Sequence, residues 1–402
     1  MEKITPIQAF TKKIKVNYVL MMDRNGYLQP YCISQKKLLS WDYLHTVSLL
    51  DTDFESFRSY IKKSLPACAS IIFAPKRETI VKFNETNYLN TYKEYKVTHS
   101  EHGDCSLFHE LMQRMFPIAS ERKTVTQWIA HAIQKPQERP TWGIMLTGKS
   151  GTGKGTLFNS VLTPLCSKQT TSVSRFSALT DKFSEVLDGN VFLALDDCKF
   201  GTVDTQTRLK SLLSEPSVYI EPKGLTAGMV DTYTRIILNS NDRLPLPVDE
   251  NDRRWFACQF MDYAVSKDET VNFTKNTFKG WIASKENKDA VYHYLNTLDL
   301  TDFDPFQCEQ TPTLLSMMEQ STPSLELVIQ DYIDNGNQLF KRDDLTEHLS
   351  RRRLYPAEAI LTETLTKLGY TKDRVLGNAH TVYFPISYNK KNITQWPMPV
   401  SF

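Results

Sequence analysis

Residues 148–156 read GKSGTGKGT. The first seven fit the phosphate-loop pattern G-x-x-x-x-G-K, in which glycines give a tight backbone cradle and the lysine reaches the phosphates. The next position is ordinarily Ser or Thr, whose hydroxyl holds magnesium. Here it is Gly155, and the first hydroxyl after Lys154 belongs to Thr156. Three readings compete: a damaged nucleotide site, a small-molecule kinase whose loop runs G-K-G-T, and a motor ATPase with a less common loop. The flanks narrow the choice. WGIMLT (142–147) is a short apolar strand before the loop, and residues 154–165 read as a helix opening from it. Strand, glycine-rich turn and helix N-terminus together make an anion site. All of Gly148, Lys149, Ser150, Gly151, Thr152, Gly153, Lys154, Gly155 and Thr156 are therefore candidate nucleotide contacts.

The rest of the chain continues an α/β pattern. NVFLALDD (190–197) reads as a buried strand of the parallel type, and TVDTQTRLKSLLSEP (202–216) as a helix. SVYIEPKGLTAGMVDTY (217–233) reads as two strands around a Lys-Gly tip, TRIILNSND (234–242) and WFACQF (255–260) as further strands, and FSALTDKFSEVL (176–187) as a helix. Strands alternating with helices imply a mostly parallel sheet flanked by helices. Upstream, residues 1–118 mix short strands (16–22, 70–75) with polar turns and suggest a small α+β domain. Apolar spacing predicts a helix over 106–116. A second, capped by Ser120, carries Val125, Trp128, Ile129 and Ile133 and stops near Pro136 and Pro140. The core is expected over 119–298, helical from 262 to about 297. The polar stretch 299–323 reads as a linker. Residues 324–402 give three amphipathic helices and a strand-turn-strand, the pattern of a winged helix.

Composition is that of an ordinary globular protein: 402 residues, formal net charge +2, 41% hydrophobic and 23% charged. Any nucleic-acid footprint must be local. No long uncharged apolar run opens the chain, so neither a signal peptide nor a membrane partner is expected. Seven scattered cysteines with no C-x-x-C pair suit reduced thiols and a cytoplasmic setting. His99, His102, Asp104 and Cys105 are the nearest approach to a metal cluster, but nothing downstream supplies matching ligands, and no structural zinc is expected.

Four further features carry chemistry. Asp196 and Asp197 end a buried strand. There, one carboxylate, Asp196, can hold magnesium and the other can orient or deprotonate an attacking water. The strand RIILNSND ends in Asn239, Ser240 and Asn241. A neutral amide there can bridge a terminal phosphate and the water, and Asn241 is favoured, although Asn-Asp before Pro also forms turns. Arg253 and Arg254 open the last strand and can stabilise charge on phosphoryl oxygens; a salt bridge with Asp249, Glu250 or Asp252 is the competing role for one of the two. Lys223 and Gly224 occupy the hairpin tip, where a lysine suits a nucleic-acid phosphate as well as plain solvent.

In this order the motifs GKSGTGKGT, VFLALDD, the hairpin lysine, IILNSND-x-L-P and DRR resemble the superfamily 3 helicases. The likeness is greatest to phage and mobile-element members related to the primase-helicases of large DNA viruses. It covers about 120–262 well and extends loosely upstream through YLNTYKEY (88–95). The resemblance implies a P-loop AAA+ type ATPase core. It implies a homo-hexameric ring that uses ATP and Mg2+ to translocate 3′ to 5′ on single-stranded DNA and unwind forked DNA in replication. By the same resemblance Lys154 binds phosphate and Asp196 and Asp197 form the Walker-B pair. Asn241 is then the sensor, Arg253 or Arg254 the finger acting in trans, and Lys223 the pore contact. Gly155 departs from the family pattern, so the metal contact passes through Thr156 or a water. Relatives often carry a primase in the same chain. The ~120 residues before the core are short for one by ordinary domain sizes, so a separate primase or polymerase is expected as a partner, in a host cytoplasm if the protein is phage-encoded. In the winged helix, Lys341, Arg342, Arg351, Arg352 and Arg353 offer phosphate contacts, with 356–370 as candidate recognition helix; docking to protein is the equal alternative.

Two other functions stay open. An adenylate-kinase-like enzyme accounts for G-K-G-T but not for the paired acids, the strand-end asparagine or DRR, and its loop ordinarily lies near the N-terminus. A non-hydrolysing DNA-binding initiator accounts for the winged helix, but not for intact Asp196–Asp197 and the arginines.

Overall fold

The structure is a computed structural model that describes residues 5–23, 25–99, 103–176, 187, 189–198, 203–220, 228–249, 252–321, 325–337, 339–352, 354–375 and 380–387. The chain divides into two compact units, Met1–Met318 and Glu319–Phe402.

The first unit opens with α1 (Pro6–Ile14), β1 (Tyr18–Met22), β2 (Leu28–Cys32), β3 (Lys37–Leu38), α2 (Trp41–Ser48), α3 (Phe54–Ser64) and β4 (Ala67–Cys68). The strands form one sheet in the order β3-β2-β1-β4. Side chains alternate across β1: Leu20 packs with Trp41, Leu44, Phe57 and Ile61 of the helices, while Val19 and Met21 turn to the other face. Each helix is started by a side chain that satisfies an orphan N–H, from Thr5, Ser40 and Asp53. A second small sheet follows, β5 (Ile71–Ile72), β6 (Ile80–Phe83) and β7 (Thr86–Asn90), in the order β5-β7-β6.

The core follows: α4 (Ser106–Met115), α5 (Ala119–Gln134), β8 (Gly143–Thr147), α6 (residues 154–165, with a π-type turn over Leu157–Leu162), β9 (Thr170–Val173), β10 (Phe192–Asp196), α7 (Val203–Ser214), β11 (Ser217–Ile220), β12 (Gly228–Asp231), β13 (Arg235–Ser240) and β14 (Trp255–Ala257). Five strands make an all-parallel sheet in the order β14-β8-β13-β10-β9. Both faces are covered, which explains runs such as FLAL rather than alternation with polar residues. Ile144, Leu146, Phe192, Ala194, Ile237 and Phe256 face α4, α5 and α6. Met145, Leu193, Leu195, Ile236, Leu238 and Trp255 face α7. Burying each large apolar side chain contributes about 1.5–3 kcal/mol, so this sheet is the rigid platform for whatever its ends carry. The first face is completed by α8 (residues 267–282) and α9 (Lys285–Thr297), the second by α10 (Pro312–Ser321).

One carboxylate ties the segment before α4 to α9. Asp289, without solvent exposure, accepts from Tyr95 Oη at 2.7 Å, from the N–H groups of Thr98 and His99 at 2.9 and 3.0 Å, and from Lys285. Burial pushes this carboxyl up, but the hydrogen bonds from Lys285, Thr98, Tyr95 and His99 outweigh it and hold the group well below the usual carboxylate range.

The second unit contains α11 (Leu325–Asp334), β15 (Phe340–Lys341), α12 (Arg342–Arg351), α13 (Glu358–Lys367), β16 (Tyr370–Val375) and β17 (His380–Pro385), with sheet order β15-β17-β16. Its own core joins Ile329, Phe340, Leu345, Leu349, Leu365 and Tyr383.

Several expectations are corrected. The stretch 299–323 is not a spacer throughout: α10 lies within it, and Leu314, Met317 and Met318 are buried against the sheet. Helix α5 starts one residue before Ser120, with Ile118 at its N-cap and no side-chain cap. The chain is not helical from 262; Ser266 caps a helix beginning at Lys267. The strand expected over 70–75 shortens to Ile71–Ile72. Strand β15 was not expected, and the helix expected over 176–187 lies outside the described residues but for its ends.

Candidate functional site

All five parallel strands point their C-terminal ends to one edge, and the glycine-rich loop leaves β8 there. Its first residues are anchored by backbone: Gly148 N–H donates to Ser240 O at 3.0 Å and Lys149 N–H to Met261 O at 3.0 Å. The loop glycines have distinct reasons. A β-carbon on Gly148 would sit 2.5 Å from Met261 Cβ and 2.7 Å from its carbonyl oxygen. Gly151 and Gly153 have φ of +86° and +117°, which L side chains resist. Gly153 also lies over Met115 and Leu111 of α4. Gly155 differs. It has helical backbone, and the nearest atom to an added β-carbon is Asn159 Nδ2 at 3.8 Å.

Lys154 is buried, and its ammonium donates to the carbonyl oxygens of Gly148 and Lys149 and to Asn241 Oδ1, the last at 3.1 Å. Burial pushes its pKa down, and Asp197 and Asp196 pull it partly back. Asn241 Nδ2 donates onward to Asp197 Oδ1 at 2.9 Å. Asn239, paired across the sheet with Asp196, directs its Nδ2 toward Asp196 Oδ1 at 3.4 Å. The two asparagines therefore serve one acid each. Asp197 holds φ of +49°, an uncommon conformation for a non-glycine residue, pinned by its N–H to Asn239 O at 3.0 Å. Lys154, Asp196, Asp197 and Asn241 thus meet at one edge. Thr156 stands two residues along the same helix, half-buried.

The residues fit a polyphosphate and a metal ion. Gly151 and Gly153 hold positive φ, and a β-carbon on them would meet Val271 and Met115, so only glycine keeps the loop backbone in this tight turn. The first N–H groups of α6 have no partner within the helix. Asn239 Oδ1 and Thr147 Oγ1 are buried without a hydrogen-bond partner, which calls for polar company at the loop. Lys154 and the loop backbone would hold the phosphates, and Asp196 with Thr156 the metal.

The edge has a second clamp that no motif announced. Lys149 pairs with Asp262 at 2.7 Å and lies over the Tyr263 ring, and Tyr263 Oη donates to Ser150 O at 3.1 Å. Arg243 lies over the Phe260 ring at 3.9 Å and helps lower the Asp262 carboxyl, after its hydrogen bonds with Lys149 and Tyr263. Only the two-residue distance of Arg243 from Asn241 hinted at its place.

Arg253 and Arg254 are not part of this cluster. They precede β14, whose Trp255 pairs with Gly143 at the start of β8, so they lie at the opposite edge of the sheet. With Thr141, Ser214 and Phe306 they line a cavity of about 320 Å³. The anticipated ion pairs with Asp249 and Asp252 belong instead to Lys210. Arg254 Nε donates to Ser214 Oγ at 2.9 Å, and Arg253 is exposed. Glu250 lies outside the described residues.

Lys223 and Gly224 also lie outside the described residues; the flanking β11 and β12 pair antiparallel, Ser217 with Asp231 through Ile220 with Gly228. In the second unit Arg351 pairs with Glu347 at 2.6 Å, Arg352 with Asp331 at 3.2 Å, and Arg342 with Glu358 at 3.5 Å. Arg353 is outside the described residues. His99 is bound to Asp289, and Asp104 accepts from Ser106 N–H, so those two residues are engaged structurally; His102 lies outside the described residues. No helix among the described residues is long and apolar enough to cross a membrane.

Residues 146–254 match a family described as a family of unknown function (DUF5906). The chain is 21% identical over 276 residues to the DNA primase-polymerase of Nitratiruptor phage NrS-1, a match covering 66% of this chain and 37% of that protein. It therefore spans little more than a third of that relative's length. Among solved structures it resembles the apo structure of the NrS-1 C terminal region (305-718), with TM-score 0.59, 14% identity, and coverage of 95% of this chain and 99% of that one. A second apo form of the same region gives TM-score 0.59 at 15% identity, covering 96% and 100%. At these identities the likeness shows a shared fold, one α/β architecture around a parallel five-stranded sheet.

Proposed function

We propose that this chain is an ATP-dependent DNA helicase of a phage-type replication system, built on a P-loop AAA+ core of the superfamily 3 kind with a winged-helix-like second unit. The observation that carries this reading is the chain of contacts from Lys154 through Asn241 to Asp197. It joins the phosphate-loop lysine to an acid of the strand-end pair through a neutral amide. A kinase loop alone does not call for that amide and acid.

In this reading the loop backbone and Lys154 hold the β- and γ-phosphates of ATP. Asp196 and Thr156 hold Mg2+, which when bound supplies charge neutralisation on the phosphate oxygens. Asp197 accepts the proton of the attacking water and Asn241 fixes its angle, so Lys154 Nζ must leave Asn241 Oδ1 for a phosphate oxygen when nucleotide enters, which frees Oδ1 to accept from the water. Arg253 and Arg254, remote from their own loop, act on a neighbour's nucleotide in a ring, where guanidinium donors stabilise spreading charge. Lys223 and Gly224 meet single-stranded DNA. The replication setting is supported by the name of the NrS-1 relative, a DNA primase-polymerase. The second unit carries ten Lys and Arg and ten Asp and Glu over 319–402, a balance that favours docking to protein over broad DNA contact.

Mixing tests the ring. Arg253→Ala/Arg254→Ala protein and Lys154→Ala protein are each inactive alone. Combined, they regain phosphate release, because some shared sites pair an intact loop with intact arginines. Absence of rescue at every ratio rules out arginines acting between subunits.

A further inference from the structure

The sheet order determines which way a phosphate chain in the loop must run. The loop follows β8. The acids and asparagines stand on β10 and β13, to one side of β8, and β14 lies on the other. A nucleotide whose terminal phosphate meets Lys154, Asn241 and Asp197 therefore carries its nucleoside toward the β14 side.

Two segments flank the loop there. After β14, Met261, Asp262 and Tyr263 hold Lys149 and Ser150. Below, Met115 and Leu111 of α4 pack on Gly153. Between the continuations of these segments lies a cleft of about 380 Å³ lined by Glu110, Gln113, Arg114, Pro117, Ala264 and Val265, within the usual range for small-ligand sites. Val265 is 64% exposed, a large apolar side chain left to water at this cleft. Glu110 and Arg114 pair at 2.7 Å, the Arg114 guanidinium lies over Phe273 at 4.3 Å, and Arg114 Nη1 is buried without a hydrogen-bond partner among the described residues. Gln113 is exposed on α4, and its side chain makes no hydrogen bond to another described residue.

Resting on the nucleotide reading above, we infer that this cleft receives the base of a nucleoside triphosphate, with Pro117, Ala264 and Val265 against its faces and Gln113 at its edge. A carboxamide offers both a donor and an acceptor and can rotate to present either. It meets the amino edge of adenine and the carbonyl edge of guanine alike. The site therefore selects weakly among purine bases, within about tenfold.

The test titrates the full chain with ATP, GTP and inorganic tripolyphosphate, for wild type, Val265→Trp, Gln113→Glu and Lys154→Ala, with unfolding midpoints checked for each. Val265→Trp is expected to weaken both nucleotides by about tenfold or more and leave tripolyphosphate unchanged. Gln113→Glu, an acceptor only, is expected to favour ATP over GTP by about tenfold. If both cleft variants bind ATP and GTP like wild type while Lys154→Ala binds neither, the base lies elsewhere and the phosphate site stands. If wild type and Lys154→Ala bind all three probes equally weakly, the nucleotide reading itself fails, and this inference with it.

Discussion

Replacing Gly155 by alanine should stabilise the protein. The position lies in the first turn of α6, and a β-carbon there meets nothing nearer than 3.8 Å. Glycine in a helix costs about 0.5–1 kcal/mol relative to alanine, because it loses more backbone freedom on folding. In a unit of this size that gain raises the melting midpoint by about 2 °C. The neighbouring glycines behave oppositely. Gly153→Ala puts a side chain at φ +117° with Met115 Sδ 2.9 Å away, costing about 1–2 kcal/mol for the backbone alone. Gly148→Ala drives a methyl into the backbone of Met261, at about 1–3 kcal/mol or more. Thermal unfolding of the three variants, followed by ATP titration, reads both effects. Gly155→Ala should melt slightly higher and bind ATP as wild type does. A lower melting point, or lost ATP binding, would refute the claim that nothing in the packing requires glycine there.

Other outcomes follow from the same contacts. Gly155→Ser should lower the magnesium concentration for half-maximal hydrolysis relative to Gly155→Ala, and Thr156→Val should raise it; equal requirements in all three would remove the hydroxyl from metal binding. Asn241→Ala should cut turnover by about 10²-fold while changing ATP affinity far less, as separate binding and single-turnover measurements would show. Asp289→Asn should cost about 2 kcal/mol near neutral pH by removing a buried acceptor. Because folding holds this carboxyl below its unfolded value of about 4, that contribution is present above about pH 4 and lost as pH falls below it. The stability gap between wild type and Asp289→Asn, from urea midpoints, should thus close in acid; a gap independent of pH contradicts the assignment.

How much of this was legible in the sequence differs by element. The parallel strands were readable because both faces are buried, leaving unbroken runs such as FLAL before Asp196. The loop's backbone was readable because its glycines sit at fixed spacing, and Gly151 and Gly153 do hold positive φ. The placement of Arg253 and Arg254 was not readable: it depends on β14 running parallel to β8, which sends residues before β14 to the far edge. The Lys149–Asp262–Tyr263 clamp was equally hidden, since residues over a hundred positions apart meet only through the Gly148–Met261 bridge. Helix α10 was masked by polar neighbours, although Leu314, Met317 and Met318 keep helical spacing. Strand β15 is two residues long, too short to alternate.

The central claim is tested most directly by phosphate release from ATP, measured with and without single-stranded DNA for wild type and Lys154→Ala. The account expects wild type to release phosphate faster with DNA present and Lys154→Ala to release none under either condition. Phosphate transferred to a nucleotide acceptor, or ATP bound by wild type without turnover whether or not DNA is added, would contradict it.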